Sequence, residues 1–508
     1  MKYRKNFVEV IEETTNKRKT FTENGALAYD TSGKNIVDFN FKLSQYRNMS
    51  DEDIKNDFTK VYFENPLFAV KFIFFVGDVR EGLGERRTFN LCIEWLIENK
   101  PSVAKAILKF IPEYTRWDNL AKLVTFPQIH DDVISIIKNQ IIEDLANMEI
   151  EKNVSLCAKW LPSLNASSKR TKFLAKEICE SLNFSPRKYR KTLSAFRKYI
   201  DVVEVKMSSN DWFNIDYEKV PSQANINYKE AFLRHDFERR IEYLSKLSSD
   251  KVKINAKVLQ PHEIVRKYSY GGWDLRPYDV VLEELWKALP NNMVNESLIV
   301  RDGSGSMCCY ASSNSKATCL DVATALSIYC SEHNSEIWKD KFITFSRHPK
   351  FVDLSSCTTL RDKLKKCYTE DDCSNTDIEA TMDLILETAI KNELSQEEMP
   401  ESIIIISDMQ FDKGRRFNWN RSLFEETAID YANAGYKIPR ICFWNVNSRE
   451  ASTIPMQDNE LGLILCSGFS INNLNMFMSG EINPYKILIE QLNSTRYDII
   501  EDAVKDIV

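Results

Sequence analysis

Glycine and proline are scarce in this chain, at 14 and 15 among 508 residues. So little turn and linker material predicts regular structure with few flexible joints. Histidine is rarer still, and His130, His235, His262, His333 and His348 share no ligand spacing, so none is assigned to a metal or to catalysis. No CxxC pair occurs among the 12 cysteines, which argues against a zinc site of the usual spacing. Cys92, Cys157, Cys319, Cys330 and Cys442 lie in apolar patterns, where a reduced thiol behaves as a small hydrophobe, and a cytosol-like compartment is expected. Long apolar runs are missing too. The longest, Phe72 to Val76 and Ile403 to Ile406, fall far short of the ~18 residues that span a bilayer. The N-terminus has no apolar segment of the kind a secretory signal needs. A soluble, cytoplasmic protein without a membrane partner is the expectation. There is no P-loop, and Gly82-Leu83-Gly84 lacks the third glycine of a dinucleotide loop and follows a helical run.

What is present is an ordinary globular composition, 43% hydrophobic and 28% charged, with a net charge of -6. The length allows two to four domains at roughly 150 residues each. Residues 1–44 carry Gly and Ser turn signals and predict a small strand pair or an extended arm. Residues 45–290 read as helix after helix, with breaks at Pro, Asn or Gly, as in a helical-repeat (HEAT-like) solenoid or ring. From residue 291 to 508 short β-rich runs alternate with helical ones, predicting an α/β doubly wound parallel sheet. Ile403 to Ile406, with no polar alternation, has the pattern of a central parallel strand.

Three polar clusters fall where strands of that sheet should end. Asp302, Ser304 and Ser306 follow Leu298-Ile299-Val300, Thr376 opens a helix, and Asp408 follows Ile403 to Ile406. Ligands of doubly wound sheets bind at these carboxyl ends. Hydroxyls with one or two carboxylates suit a hard cation such as Mg²⁺, or Mn²⁺ or Ca²⁺, and leave it enough charge to seek a carboxylate or phosphate from a partner. Gly303 and Gly305 are expected to let the loop turn tightly. Each signal alone has a plainer reading, a turn for the Ser/Gly loop and an N-cap for Asp408. An aspartyl-phosphate enzyme would need a second carboxylate near Asp302, where Ser304 stands, and no nucleophile or general-base constellation is visible, so no catalysis is expected.

The Asp-x-Ser-x-Ser loop, a downstream Thr and a strand-terminal Asp resemble the metal-ion-dependent adhesion site of von Willebrand factor A domains. The resemblance implies that Ser304, Ser306 and Thr376, or their waters, ligate the metal, with Asp302 and Asp408 acting partly through water. Thr376 departs from the family in lacking a Gly-rich lead-in, having Cys373-Ser374-Asn375 instead.

Charge reverses between Ala166 and Met207, where eleven basic and four acidic residues give +7 in a chain of -6. Ser185-Pro186 predicts a helix start. Tyr189, Leu193, Phe196 and Ile200 then form one stripe, with Arg187, Lys191 and Lys198 on the opposite face. Lys169, Arg170, Lys172, Arg187, Lys188, Arg190, Lys191, Arg197 and Lys198 are the candidate contacts for an RNA phosphate backbone; a merely solvated basic face is the plainer meaning. The dense corner from Asp78-Val79-Arg80 to Glu85-Arg86-Arg87 is explained by buried Arg–carboxylate pairs as well as by a ligand.

Ordered motifs along the whole chain resemble a Ro-like family of phage and bacterial proteins catalogued as a domain of unknown function. They include Thr31-Ser32-Gly33, Gly82 to Arg87, Arg116-Trp117-Asp118, Ala158 to Ser163, Val220-Pro221-Ser222, Pro261-His262-Glu263 and Ser407 to Phe411. That family is similar in architecture to the Ro autoantigen with its TROVE module. The resemblance implies a helical ring closed by a von Willebrand factor A domain, with small noncoding or misfolded RNA as partner. The alternative is a metal-dependent protein-interaction module, such as a phage or virion component, whose partner donates a carboxylate to the metal.

Overall fold

The computed structural model describes residues 19–24, 27–269, 274–292, 296–312, 317–335, 337–345, 349–371, 377–411, 423–447, 449, 454, 463–477 and 483–508. Thr376, His348 and the 1–18 segment lie outside these. The chain forms two compact units, one of residues 1–65 and 259–493, the other of residues 66–258 and 494–508. These divisions differ from the sequence-predicted boundary near residue 290. The helices Asp51–Glu64, Pro261–Tyr268 and Val280–Lys287 fall where helices are predicted but belong with the sheet, and the last fifteen residues belong with the helices. Helical periodicity reports that a segment is a helix; it does not report which core its apolar stripe joins.

The first described elements are strands β1 (Lys19–Phe21) and β2 (Leu27–Tyr29), paired antiparallel, the first of the two forms the turn signals allow. Residues read as part of the same arm instead form helix α1 (Asn35–Phe41), and α2 (Asp51–Glu64) follows. Ser50 caps α2 by accepting a hydrogen bond from the Asp53 N–H.

The second unit begins with α3 (Pro66–Gly77), buried from Ala69 to Gly77, and α4 (Arg86–Asn99). A Cβ on Gly77 would overlap the Phe89 ring, so glycine allows the close crossing of this pair. Next come α5 (Trp117–Lys122), α6 (His130–Glu149), α7 (Cys157–Trp160), α8 (Lys169–Ser181) and α9 (Pro186–Tyr199). The polar corner is built from ion pairs. Fully buried Asp78 accepts from Arg496 Nε at 2.8 Å and Nη2 at 3.2 Å, and Arg86 pairs with Asp118.

The chain then returns to the sheet unit through α10 (Pro261–Tyr268) and α11 (Val280–Lys287). The sheet unit continues as β3 (Ser297–Asp302), α12 (Cys319–Glu332), β4 (Lys341–Phe345), β5 (Phe351–Asp353), α13 (Leu360–Glu370), α14 (Ile378–Lys391), β6 (Ser402–Ser407), α15 (Leu423–Asn433), β7 (Arg440–Asn445), β8 (Leu463–Ser467) and α16 (Pro484–Leu492). The terminal helix α17 (Asp498–Val504) is part of the helical unit. The sheet order is β5-β4-β3-β6-β7-β8, parallel except for the β4–β5 edge pair. Successive connections therefore run outward in opposite directions from β3 and β6, which makes the crevice between their carboxyl ends the topological switch point.

One buried carboxylate links this frame to the crevice. Glu283 on α11 accepts the Leu360 N–H at 2.7 Å and the Arg361 N–H at 3.1 Å, capping α13, and also the Tyr268 hydroxyl at 2.6 Å. Helix α13 ends at Glu370, and the next residue, Asp371, reaches the loop after β3. Replacing Glu283→Ala orphans the Leu360 and Arg361 N–H groups and leaves the Tyr268 hydroxyl only Asp279 O at 3.2 Å as acceptor, and should cost about 1–3 kcal/mol per buried group left unpaired. Urea unfolding followed by near-ultraviolet circular dichroism measures this loss, and an unchanged midpoint would refute the capping role.

Candidate metal centre and basic face

Strands β3 and β6 are hydrogen-bonded in parallel register, with Arg301 opposite Ile406, so the residues just beyond fall together. Asp302 and Asp408 are both fully buried at this point. Asp302 Oδ1 accepts the Ser304 N–H at 2.9 Å, and its Oδ2 accepts the Ser407 hydroxyl at 2.5 Å. Burial foremost, and then the negative charge of Asp408, push the Asp302 pKa up to about 7, against the lowering effect of these hydrogen bonds. Asp408 Oδ1 accepts the Gln410 N–H at 3.2 Å, and Oδ2 accepts Arg449 Nη2 at 2.7 Å. The other arm of Arg449 holds Glu23 at 2.7 Å.

Ser304 Oγ and Ser306 Oγ lie 2.9 Å apart. Neighbouring ligands of an octahedral Mg²⁺ with bonds of 2.0–2.1 Å are separated by roughly 2.9 Å, so the two hydroxyls fit adjacent vertices without rearrangement. Two buried carboxylates and two hydroxyls converging at a switch point form a donor set of the hard-oxygen kind. The chemistry therefore fits a divalent cation, with Asp302, Ser304, Ser306 and Asp408 as the residues brought together and Thr376 outside the described residues. No group of three or more His, Cys, Asp or Glu side chains suited to a metal occurs among the described residues, and this donor set has only two carboxylates, the rest being hydroxyls.

The glycines of the loop have a different role from the expected one. Neither Gly303 nor Gly305 is among the positive-φ residues. Gly303 is required because a Cβ there would overlap the Asp371 carboxylate, whereas nothing lies within 4 Å of a Cβ on Gly305. Asp371 in turn pairs with Arg301, whose side chain is completely buried inside the central strand. Arg301 Nη1 also donates to Thr324 Oγ1 at 2.9 Å. The sequence does not pair Arg301 with Asp371 or point to Arg449, and it places Ser407 only within a motif. An arginine within the apolar run before Asp302 was a legible signal, because a cation in a buried strand requires a partner. Glu23 and Arg449, far apart in sequence, gave none.

On the helical unit, Ser185 caps α9 by accepting the Lys188 N–H at 3.2 Å, and Tyr189, Leu193 and Phe196 are buried as the stripe predicts. Lys169, Arg170, Lys172, Arg187, Lys188, Arg190, Lys191 and Lys198 are exposed. Arg197 is not part of that face: it donates to Ala158 O at 2.9 Å, Ser163 Oγ at 2.8 Å and Leu161 O at 2.8 Å, tying α9 to the turn after α7. Its place one residue before Lys198 turns it toward the packed side, and burial lowers its pKa.

Asp371→Asn leaves Arg301 buried and unpaired, and is expected to cost about 3–5 kcal/mol. Gly303→Ala should be destabilising alone but add little to Asp371→Ala, because the clash partner is then gone. Chemical denaturation of the two single variants and the double variant tests this; additive losses would contradict the contact.

Residues 296–502 match the model of domain of unknown function DUF7788. The uncharacterized protein L728 of Acanthamoeba polyphaga mimivirus is 28% identical over 513 residues, spanning 93% of this chain and 87% of that protein. Among solved structures, the Deinococcus radiodurans RO (RSR) protein is similar at 13% identity over 77% of this chain and 86% of that one, with a TM-score of 0.39, a likeness too loose to carry any conclusion about function. No described helix is long and apolar enough to cross a membrane. Residues 22–115 and 113–297 match the model of domain of unknown function DUF2828, and with more than half of its length matched the chain belongs to that family.

Proposed function

We propose that this is a noncatalytic Ro-like RNA-binding protein, in which a helical-repeat ring binds small noncoding or misfolded RNA and a von Willebrand factor A-type domain binds one divalent cation and an acidic ligand. The observation that carries the RNA reading is the uncompensated face of α8 and α9. Eight exposed cations, Lys169, Arg170, Lys172, Arg187, Lys188, Arg190, Lys191 and Lys198, make no ion pair among the described residues. A solvated face on a protein of net charge -6 normally intersperses acids, and this one has few. Phosphates of a nucleic-acid strand are the ligand class such a face attracts.

Asp302, Ser304, Ser306 and Asp408, with Thr376 by resemblance, would hold Mg²⁺, or Mn²⁺ or Ca²⁺ in its place. Such a cation, when bound, supplies a positive charge only partly met by its own ligands and so attracts a carboxylate from a partner. The buried acid pair at the switch point supports a second reading, a cation-dependent protein-interaction module without an RNA role. That reading expects Asp302→Ala to abolish partner capture that survives neutralisation of α9.

Affinity for a structured small RNA should fall steeply with salt. Neutralising Arg187, Lys191 and Lys198 together to Gln should weaken binding and flatten the log affinity–log salt slope by roughly 2, at about 0.7 per lost phosphate contact on single strands. Filter binding from 50 to 300 mM KCl (about this range suffices) measures both. An unchanged slope would remove the RNA assignment of this face.

A further inference from the structure

A second cationic cluster lies on the helical unit, built by residues that the exposed face does not include. Arg116, the residue before α5, donates Nε to Asp118 Oδ1 at 3.0 Å and Nη2 to Asp118 Oδ2 at 2.8 Å. Arg86, at the start of α4, donates to the same carboxylate and sends Nε to Asn119 Oδ1 at 2.8 Å. The Arg116 guanidinium is also stacked on the Trp160 ring of α7, 4.1 Å from its centroid. Both arginines are thereby held rigid, and Asp118 is fully engaged by them.

Lys122 ends α5 one turn beyond Asp118. It is half-buried, and its ammonium makes no hydrogen bond or ion pair among the described residues. The charged groups that act on it most strongly are Arg86, Asp118, Arg116 and Arg170. Lys122 thus feels three cations and one carboxylate, and that carboxylate is already shared by Arg86 and Arg116. Burial first, and repulsion by Arg86 next, lower the Lys122 pKa. A lysine held half-desolvated among like charges works against folding. A side chain that opposes the fold and finds no partner inside it is matched to something outside it.

We propose that Arg86, Arg116 and Lys122 form a preorganised phosphate-binding site, and that the phosphate belongs to a nucleic-acid strand continuing onto α8 and α9. Several considerations select phosphate. The Nη1 groups of two fixed guanidiniums, which bond nothing among the described residues, and an ammonium with three donors suit a ligand with several anionic oxygens better than a single carboxylate. The arginines are already oriented by Asp118 and Trp160, so little ordering remains to be done on binding. Continuity selects the source: α5 packs on α7 and α8, and α8 on α9, so Arg170 adjoins both the cluster and the basic face. The site itself stands on the α4–α5 geometry; only the source of its phosphate rests on the RNA reading above.

The test uses the full-length protein with Lys122→Gln, and Lys122→Met as a second uncharged variant of similar length. Inorganic phosphate is titrated against chloride at equal ionic strength, followed by ³¹P line broadening, and the melting temperature of each protein is measured without phosphate. The expected result is phosphate binding by the wild type, at least tenfold weaker in both variants, with melting temperatures equal to or above wild type. A wild type that does not bind phosphate, variants that bind it equally well, or variants that melt lower because Lys122 is structural would each overturn the site. Single-stranded RNA binding is then compared in the same proteins. A parallel loss confirms the strand as the source. Phosphate binding with RNA affinity unaffected by Lys122→Gln keeps the site and overturns the strand as its source. Absence of any RNA binding in a phosphate-binding wild type removes the RNA reading of the whole face.

Discussion

Two carboxylates end adjacent strands of a parallel sheet with no exposed surface of their own. Two such charges repel each other and lack hydration, so each structural choice around them is a response to that cost. Ser407 and the Ser304 N–H hold Asp302, and Arg449 holds Asp408. In the loop after β3, Gly303 leaves room for the Asp371 carboxylate, and Asp371 follows a helix whose start is capped by Glu283. Even so, Asp302 remains hard to ionise. A site stabilised this incompletely by its own residues is suited to a mobile cation.

The fold was largely legible in sequence, for identifiable reasons. Strands such as Ser402–Ser407 are buried along nearly their whole length, and that produces the continuous apolar run that marks them. Helix α9 is amphipathic, so its buried stripe was readable residue by residue. Three helices carry weak sequence signals: α1 lies among turn residues, α13 carries a dense set of charges, and α17 is only seven residues long. Membership of the units was invisible because it depends on contacts between segments more than two hundred residues apart, such as Phe41 O accepting from Asn445 Nδ2 at 2.9 Å.

At the site the pattern was similar. Asp302, Ser304, Ser306 and Asp408 were found because strand ends are predictable and oxygen ligands there have a known chemistry. Their supports were missed because they approach from elsewhere in the chain. Glu23 and Asp371 become meaningful only when the sheet brings them to Arg449 and Arg301. Arg197 shows the opposite error: a charge run counts every cation alike, and only packing separates the arginine that ties α9 to neighbouring carbonyls from the ones left facing solvent.

The central claim is that the crevice between β3 and β6 holds one divalent cation. Isothermal titration of Mg²⁺ and of Mn²⁺ into the full-length protein tests it most directly, alongside Asp302→Asn and the Ser304→Ala/Ser306→Ala double variant. The expected result is a single site in the wild type that is lost in both variants, which remain folded. Absence of binding in the wild type, or equal binding in the variants, would contradict the claim.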